Sequence, residues 1–93
     1  MAVQAKHIVV YGDVQGVGFR YFVQRAANRL GITGNVRNCP DSTVEILAEG
    51  ELDRMADFVR EVRRGPRLAR VDRLEVEDIP PRGNHAAFLI EGW

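Results

Sequence analysis

The sequence predicts an α+β fold in which two helices lie on one face of an antiparallel sheet. Segments with the two-residue period of strands alternate with two segments of helical period. Each predicted helix has one apolar face, and both faces can be buried against the same side of a sheet. The chain has 93 residues, 45% of them hydrophobic, which suffices for one core but not for two. We therefore expect a single domain over residues 1–93.

The first half of the chain is predicted to form a strand, a helix and a hairpin. The β-branched and aromatic run His7–Gly12 predicts the first strand. Apolar residues then recur at helical spacing up to Gly31, a typical helix stop. These residues are Phe22, Val23, Ala26, Ala27 and Leu30. Two extended runs, 35–38 and 43–48, are joined by Cys39-Pro40-Asp41-Ser42, where proline in second place favours a type I turn.

The second half is predicted to form a helix and two strands. The helix carries a second apolar stripe of Leu52, Met55, Ala56, Val59 and Val62. Gly65-Pro66 ends it. A strand follows over 71–79, and its change of phase between Val71 and Leu74 suggests a bulge. A short last strand covers 87–90. The order βαββαβ, plus this terminal strand, is the split βαβ plan of ferredoxin-like sandwiches, which many unrelated functions use.

Composition excludes several classes of function. Thirteen basic and thirteen acidic side chains cancel, so the chain lacks the basic field of a non-specific nucleic-acid binder. The single cysteine, Cys39, cannot form an internal disulfide, and with only two histidines it cannot build a zinc site. We expect no signal peptide, and no apolar run of this sequence is long enough to cross a bilayer. We expect a cytoplasmic monomer that uses no metal or other cofactor and binds neither nucleic acid nor membrane.

The stretch Gly12–Arg20, between the first strand and the first helix, suggests an anion site. Its three glycines permit backbone conformations that turn successive N–H groups inward, next to the positive end of the helix dipole. Arg20 follows in the first helical turn, and its planar guanidinium can hold two phosphate oxygens. On spacing alone, glycines that only make the bend and a solvated arginine remain the alternative. The spacing fits neither a Walker loop nor a Rossmann motif.

This stretch resembles the first signature of the acylphosphatase family, with Val14-Gln15-Gly16-Val17-Gly18-Phe19-Arg20 matching throughout. Gly34-Asn35-Val36-Arg37-Asn38 resembles the second signature, and the resemblance extends over roughly residues 6–90. Two positions depart from the family pattern. Asn35 stands where an aromatic residue is usual, which could change the rim of the site or its packing, and Ser42 stands where glycine is common.

The resemblance implies a hydrolase that splits the carboxyl-phosphate anhydride of an acyl phosphate into a carboxylate and inorganic phosphate, without a metal. It implies that Arg20 binds the phosphoryl group, or inorganic phosphate in its place, and that Asn38 holds the attacking water. The backbone amides implied to complete the phosphate site are those of Gln15, Gly16, Val17, Gly18 and Phe19. Without the resemblance, an asparagine that enters a turn more often bonds nearby backbone.

Two other functions compete with this one. Ferredoxin-like sheets often bind RNA through aromatic residues on their central strands, but the 43–48 strand has none. A non-catalytic anion-binding domain would share Arg20 but has no need of Asn38. Six arginines gather around the end of the second helix, namely Arg60, Arg63, Arg64, Arg67, Arg70 and Arg73. We interpret this arginine cluster as a solvated surface, because cations suit a helix C-terminus and acidic residues interrupt the run.

Overall fold

The computed structural model describes residues 2–92 and confirms the predicted order of elements. Two helices pack on one face of a five-stranded sheet, whose strand order is β4-β1-β3-β2-β5. The elements are β1 (Val3–Asp13), α1 (Phe19–Leu30), β2 (Thr33–Asn38), β3 (Val44–Glu51), α2 (Leu52–Arg64), β4 (Arg70–Ile79) and β5 (Phe88–Glu91). The first strand begins four residues earlier than predicted, since Val3–Lys6 pair with the end of β3.

The four long strands pair antiparallel, as predicted, whereas β5 runs parallel to β2. The direction of β5 follows from the path of the chain. Strand β4 ends at the end of the sheet where β2 begins, and residues 80–87 cross to the far edge, so β5 sets out in the direction of β2. Both carboxylate oxygens of Glu49 hold this crossing, accepting the N–H groups of Arg82 at 2.9 Å and Gly83 at 2.8 Å. The sheet is therefore mixed.

The core lies between the helices and one face of the sheet. The apolar faces of α1 and α2 bury Phe19, Val23, Met55, Phe58 and Val62 to 2% exposure or less. From the sheet, the alternate residues of β1 and β3 complete the core with Ile8, Val10, Val44, Ile46 and Ala48. Burial of each large apolar side chain contributes about 1.5–3 kcal/mol. This face of the sheet is the helix side; the opposite face, which no helix covers, is the open face.

A bulge interrupts the pairing of β1 with β4 two residues before β1 ends, where the phase change suggested an irregularity. Tyr11 pairs with Arg73 and Gly12 with Val71, so Asp72 is the extra residue. A Cβ atom on Gly12 would lie 2.1 Å from the carbonyl oxygen of Arg70, so any other residue would force the two backbones apart. The bulge thus fixes the point at which the chain leaves the sheet toward α1.

An ion network on the open face ties together the three inner strands. Glu45 on β3 contacts Nε2 of His7 on β1 at 2.8 Å and Nε of Arg37 on β2 at 2.5 Å. The hydrogen bond with His7 is the main cause of a lowered pKa of the Glu45 carboxyl; Arg37 adds to it, against the opposing effect of partial burial. Because Arg37 precedes Asn38, the network also steadies the end of β2.

We expect Glu45→Gln to lower the free energy of unfolding by about 0.5–1 kcal/mol at pH 6 and by less at pH 3. The pKa of Glu45 is lowered on folding, so its carboxylate stabilises the protein fully above its unfolded pKa of about 4.3. That contribution is lost as the pH falls through the folded value. Urea denaturation of both proteins at the two pH values measures the change. If Glu45→Gln lowers the free energy of unfolding equally at pH 6 and at pH 3, ionisation of Glu45 is not the source of the stabilisation.

Candidate active site

A crevice of about 180 Å³ lies where β1, β2 and β5 end and α1 begins. Three elements, α1, β2 and β5, and the loop before α1 supply its lining residues, which are Val14, Gly16, Gly18, Phe19, Arg20, Tyr21, Asn38 and Ile90. The structure thus brings together the glycine-rich loop, the arginine and the asparagine. A larger cavity of about 330 Å³ lies under the 80–87 crossing and shares none of these residues.

The glycine loop, residues 14–18, is anchored at its two ends and open between them. Val14 and Phe19 are buried to 1% and 2% exposure, which fixes both ends in the core. Gly16 and Gly18 have φ values of 75° and 76°, in the left-handed region that favours glycine. A Cβ atom at either would meet nothing within 4 Å, so both backbones face open space. A ligand can therefore approach the main chain at these two glycines closely.

The start of α1 adds backbone donors to the crevice. Gly18 is the N-cap, and the first intrahelical bond runs from Phe22 N to Gly18 O at 3.0 Å. The N–H groups of Phe19, Arg20 and Tyr21 therefore lie in the first turn, where amides have no partner within the helix. Of the five amides expected to form the phosphate site, Gly16, Gly18 and Phe19 belong to lining residues. Gln15 and Val17 do not appear among the lining residues that the structure describes.

Arg20 is held at the crevice by β5. Its Nη1 donates to the carbonyl oxygen of Glu91 at 2.9 Å, and its side chain is half-buried. Sequence reasoning did not find this contact, since residues 20 and 91 lie 71 positions apart and nothing in the terminal segment marks a partner for arginine. The short terminal strand thus does more than close the sheet, because it restricts the arginine.

Asn38 is the last residue of β2, and its Oδ1 is buried. No donor within residues 2–92 hydrogen-bonds this oxygen. An asparagine that enters a turn would typically use this oxygen to accept a hydrogen bond from nearby backbone. Asn38 accepts none from the backbone of residues 2–92. An unsatisfied buried acceptor costs about 1–3 kcal/mol, so the position favours a bound donor such as water.

The turn after Asn38 has the predicted form. Ser42 N donates to Cys39 O at 3.2 Å across a four-residue turn with Pro40 in second place, and Cys39 N donates to Thr43 O at 2.9 Å. Asp41 Oδ1 accepts both the backbone N–H and the hydroxyl of Thr43. The hydroxyl bond is the main cause of a lowered pKa of the Asp41 carboxyl. Ser42 has φ 76°, the one positive value among non-glycine residues of 2–92.

Replacing Ser42 by glycine is expected to raise the free energy of unfolding by about 0.5–1 kcal/mol. Glycine adopts this φ without the cost of about 1–2 kcal/mol that a Cβ imposes, and its greater freedom in the unfolded chain offsets only part of the gain. Thermal denaturation measures the change. Ser42→Ala is the matched control, since it removes the hydroxyl but keeps the Cβ. An equal gain in both variants would refute backbone strain as the cause.

Asn35, one of the two residues that differ from the usual family pattern, does not line the crevice. Val36 and Gly34 face the core, so Asn35 between them faces the open side of the sheet, where it pairs with Leu47 of β3 and Leu89 of β5. The substitution therefore concerns the open face and not the rim of the site.

The arginine cluster is largely an ion-paired surface. Four of its members contact neighbouring carboxylates: Arg60 with Asp57, Arg64 with Glu61, Arg70 with Asp72 and Arg73 with Glu75. Pairs of this kind lower the positive potential that an RNA or a substrate would meet, which agrees with the interpretation of the cluster as solvated surface.

Within residues 2–92, the central strand β3 carries no aromatic side chain on the open face. The central strand β3 presents Glu45, Leu47 and Glu49 there. Tyr11 on β1 is aromatic, but its hydroxyl donates to Glu75 at 2.8 Å and the Arg73 guanidinium lies 3.8 Å from its ring centroid. Arg73 thus covers one face of the Tyr11 ring, on which a base would otherwise stack.

Neither metal nor membrane features stand out in the part of the chain that the structure describes. Within residues 2–92, no three side chains of His, Cys, Asp or Glu are grouped so that they could hold a metal ion. Neither α1 nor α2 has the length and apolar character that crossing a bilayer requires.

Comparison with known proteins gives one consistent family. Residues 6–90 match the acylphosphatase family. A curated acylphosphatase of Koribacter versatilis is 48% identical over 89 residues, which cover 96% of this chain and 81% of the relative. The crystal structure of the acylphosphatase from Bacillus subtilis superposes with a TM-score of 0.91 at 40% identity, covering 98% of this chain and all of that one. A crystal structure of full-length HypF in a phosphate- and nucleotide-bound form superposes with a TM-score of 0.89 at 35% identity. The match covers 98% of this chain but only 12% of that much longer protein. The family match over residues 6–90 includes both signatures, and the chain belongs to the acylphosphatase family.

Proposed function

We propose that the crevice between the glycine loop, Arg20 and Asn38 is where this acylphosphatase hydrolyses its substrate. The supporting observation is that residues far apart in sequence line one cavity of about 180 Å³, a size that suits a phosphoryl group and a water molecule. The lining combines the cation of Arg20, the main chain of the glycines and of the first turn of α1, and the carboxamide of Asn38.

The phosphoryl group binds to Arg20 and to the backbone amides around Gly16, Gly18 and Phe19. Charge-assisted bonds from a guanidinium fork are stronger and more directional than those of a lysine. The glycines leave their main chain uncovered, and the positive end of α1 favours an anion. These donors neutralise the charge on the phosphoryl oxygens in the transition state without a metal ion.

Asn38 orients the attacking water. Its Oδ1 accepts a hydrogen bond from the water, whose oxygen then attacks phosphorus in line with the departing carboxylate. The bond from phosphorus to the acyl oxygen breaks, and the carboxylate leaves with the electron pair. A carboxylate is a good leaving group and needs no strong acid. An amide cannot accept a proton at neutral pH, so the proton of the water passes to a phosphoryl oxygen of the substrate, which gives inorganic phosphate.

Hydrolysis of benzoyl phosphate, followed by its ultraviolet absorbance, tests the proposal. We expect turnover that persists in the presence of EDTA and competitive inhibition by inorganic phosphate. RNA binding without turnover would instead support a ferredoxin-like binding module. Phosphate binding without turnover would support an anion-binding domain.

We also propose that the protein acts as a cytoplasmic monomer. One chain supplies the glycine loop, Arg20 and Asn38 that the proposed reaction uses. Cys39 is a free thiol, which suits a reducing compartment. Size-exclusion chromatography with light scattering measures the state, for which we expect the mass of one chain.

A further inference from the structure

The side chain of Gln15 joins the glycine loop to the turn that follows Asn38. Its Nε2 donates to the carbonyl oxygen of Cys39 at 2.9 Å and to that of Thr43 at 2.9 Å. Cys39 follows Asn38 directly, and Thr43 closes the same turn by accepting the N–H of Cys39. One side chain therefore contacts both ends of the turn at whose entrance Asn38 lies.

The chemistry of these contacts requires a side chain at position 15 that donates two hydrogen bonds. Both partners are carbonyl oxygens, which only accept hydrogen bonds, so the NH₂ end must face them and both of its hydrogens are used. A carboxylate would place oxygen against oxygen, and an apolar side chain would leave the contacts unmade. The side chain of Gln15 is half-buried, so solvent replaces these bonds incompletely.

We infer that Gln15 is a positioning residue, whose side chain sets the separation between the phosphate-binding loop and the carboxamide of Asn38. This role belongs to its side chain and is separate from any use of its backbone amide, and it rests on the proposed function of Asn38. In-line attack requires the water within about 3–3.5 Å of phosphorus, and a misplacement of about 1 Å can cost 10²-fold in rate. A direct link between the two halves of the site restricts such a displacement.

Gln15→Met, with Gln24→Met as the matched control, separates positioning from stability. Methionine has similar length without the donors. Gln24 also donates its Nε2 to a backbone carbonyl, that of Phe88 at 3.0 Å, and is half-buried, but it lies outside the crevice lining. We expect Gln24→Met to lose about 5 °C in Tm, as for one hydrogen bond in a domain of this size, and Gln15→Met, which loses two hydrogen bonds, to lose about 10 °C. Only Gln15→Met should lose about 10-fold or more in kcat on benzoyl phosphate, with a change below about threefold in the inhibition constant of phosphate.

A double-mutant cycle with Asn38→Ala then tests whether Gln15 acts through Asn38. In the Asn38→Ala background, we expect Gln15→Met to lower kcat by less than about threefold, because there is no carboxamide left to misplace. In the otherwise wild-type protein, Gln15→Met should also shift the side-chain NH₂ resonances of Asn38, and Gln24→Met should not.

Three results would overturn the inference: an unchanged kcat for Gln15→Met, a similar loss of kcat in Gln24→Met, or the full loss retained in the Asn38→Ala background. The proposed function fails separately, if Asn38→Ala alone keeps the kcat of the wild type.

Discussion

Arg20→Ala is expected to lower kcat/KM for benzoyl phosphate by about 10³-fold or more. Loss of one preorganised donor at such a site costs about 10²–10³ in rate, and Arg20 supplies a full positive charge as well as two donors. It is the only arginine among the described residues that line the crevice. The inhibition constant of inorganic phosphate should rise in parallel, because the product presents the same oxygens to the guanidinium. Steady-state kinetics with phosphate as inhibitor measure both.

Two further variants separate charge from geometry. Arg20→Lys keeps the charge but not the planar fork, so it should recover only part of the loss. Arg63→Ala removes an equal charge from the exposed end of α2 and should leave kcat/KM within about threefold, as expected for a screened surface charge. If Arg20→Ala keeps more than a tenth of the wild-type kcat/KM, the arginine does not hold the phosphoryl group.

Asn38→Ala is expected to lower kcat by about 10²-fold while the inhibition constant of phosphate changes by less than about threefold. The carboxamide acts on the water and not on the phosphoryl oxygens, so its loss removes orientation without removing anion binding. The variant also deletes a buried oxygen that has no partner in residues 2–92, so its free energy of unfolding should not fall. Kinetics and urea denaturation of the same preparation test both statements.

Asn35→Ala is the control for Asn38→Ala. Asn35 lies three residues earlier on β2 but faces the open side of the sheet. It should keep the kcat of the wild type. A large rise in the phosphate inhibition constant for Asn38→Ala, with little change in kcat, would contradict the water-orienting role and place Asn38 among the anion ligands.

Local patterns were enough to predict the elements of the fold. The apolar period of Val23, Ala26 and Ala27 gave α1, and Gly31 ended it in the left-handed conformation expected of a C-cap. The phase change around Asp72 located the bulge, and Pro40 located the turn. Each of these signals acts over a few residues, which is why the sequence displays it.

Contacts between distant segments could not be predicted in the same way. The parallel pairing of β5 depends on where β4 ends in space, and no short pattern in residues 88–91 encodes it. The bond from Arg20 to Glu91 depends in turn on that pairing. The bonds of Gln15 to Cys39 and Thr43 require the loop and the turn to meet at one end of the sheet. Their acceptors are backbone carbonyls, which any residue would provide, so the partner positions carry no side-chain signal.

The most direct test is a titration of the ¹⁵N-labelled protein with inorganic phosphate, monitored by amide NMR. The proposed phosphate site predicts saturable shifts of the backbone amides of Gly16, Gly18 and Phe19, together with the guanidinium of Arg20 and the side-chain amide of Asn38. Shifts confined to the arginine cluster at the end of α2, with these groups unmoved at saturating phosphate, would contradict it.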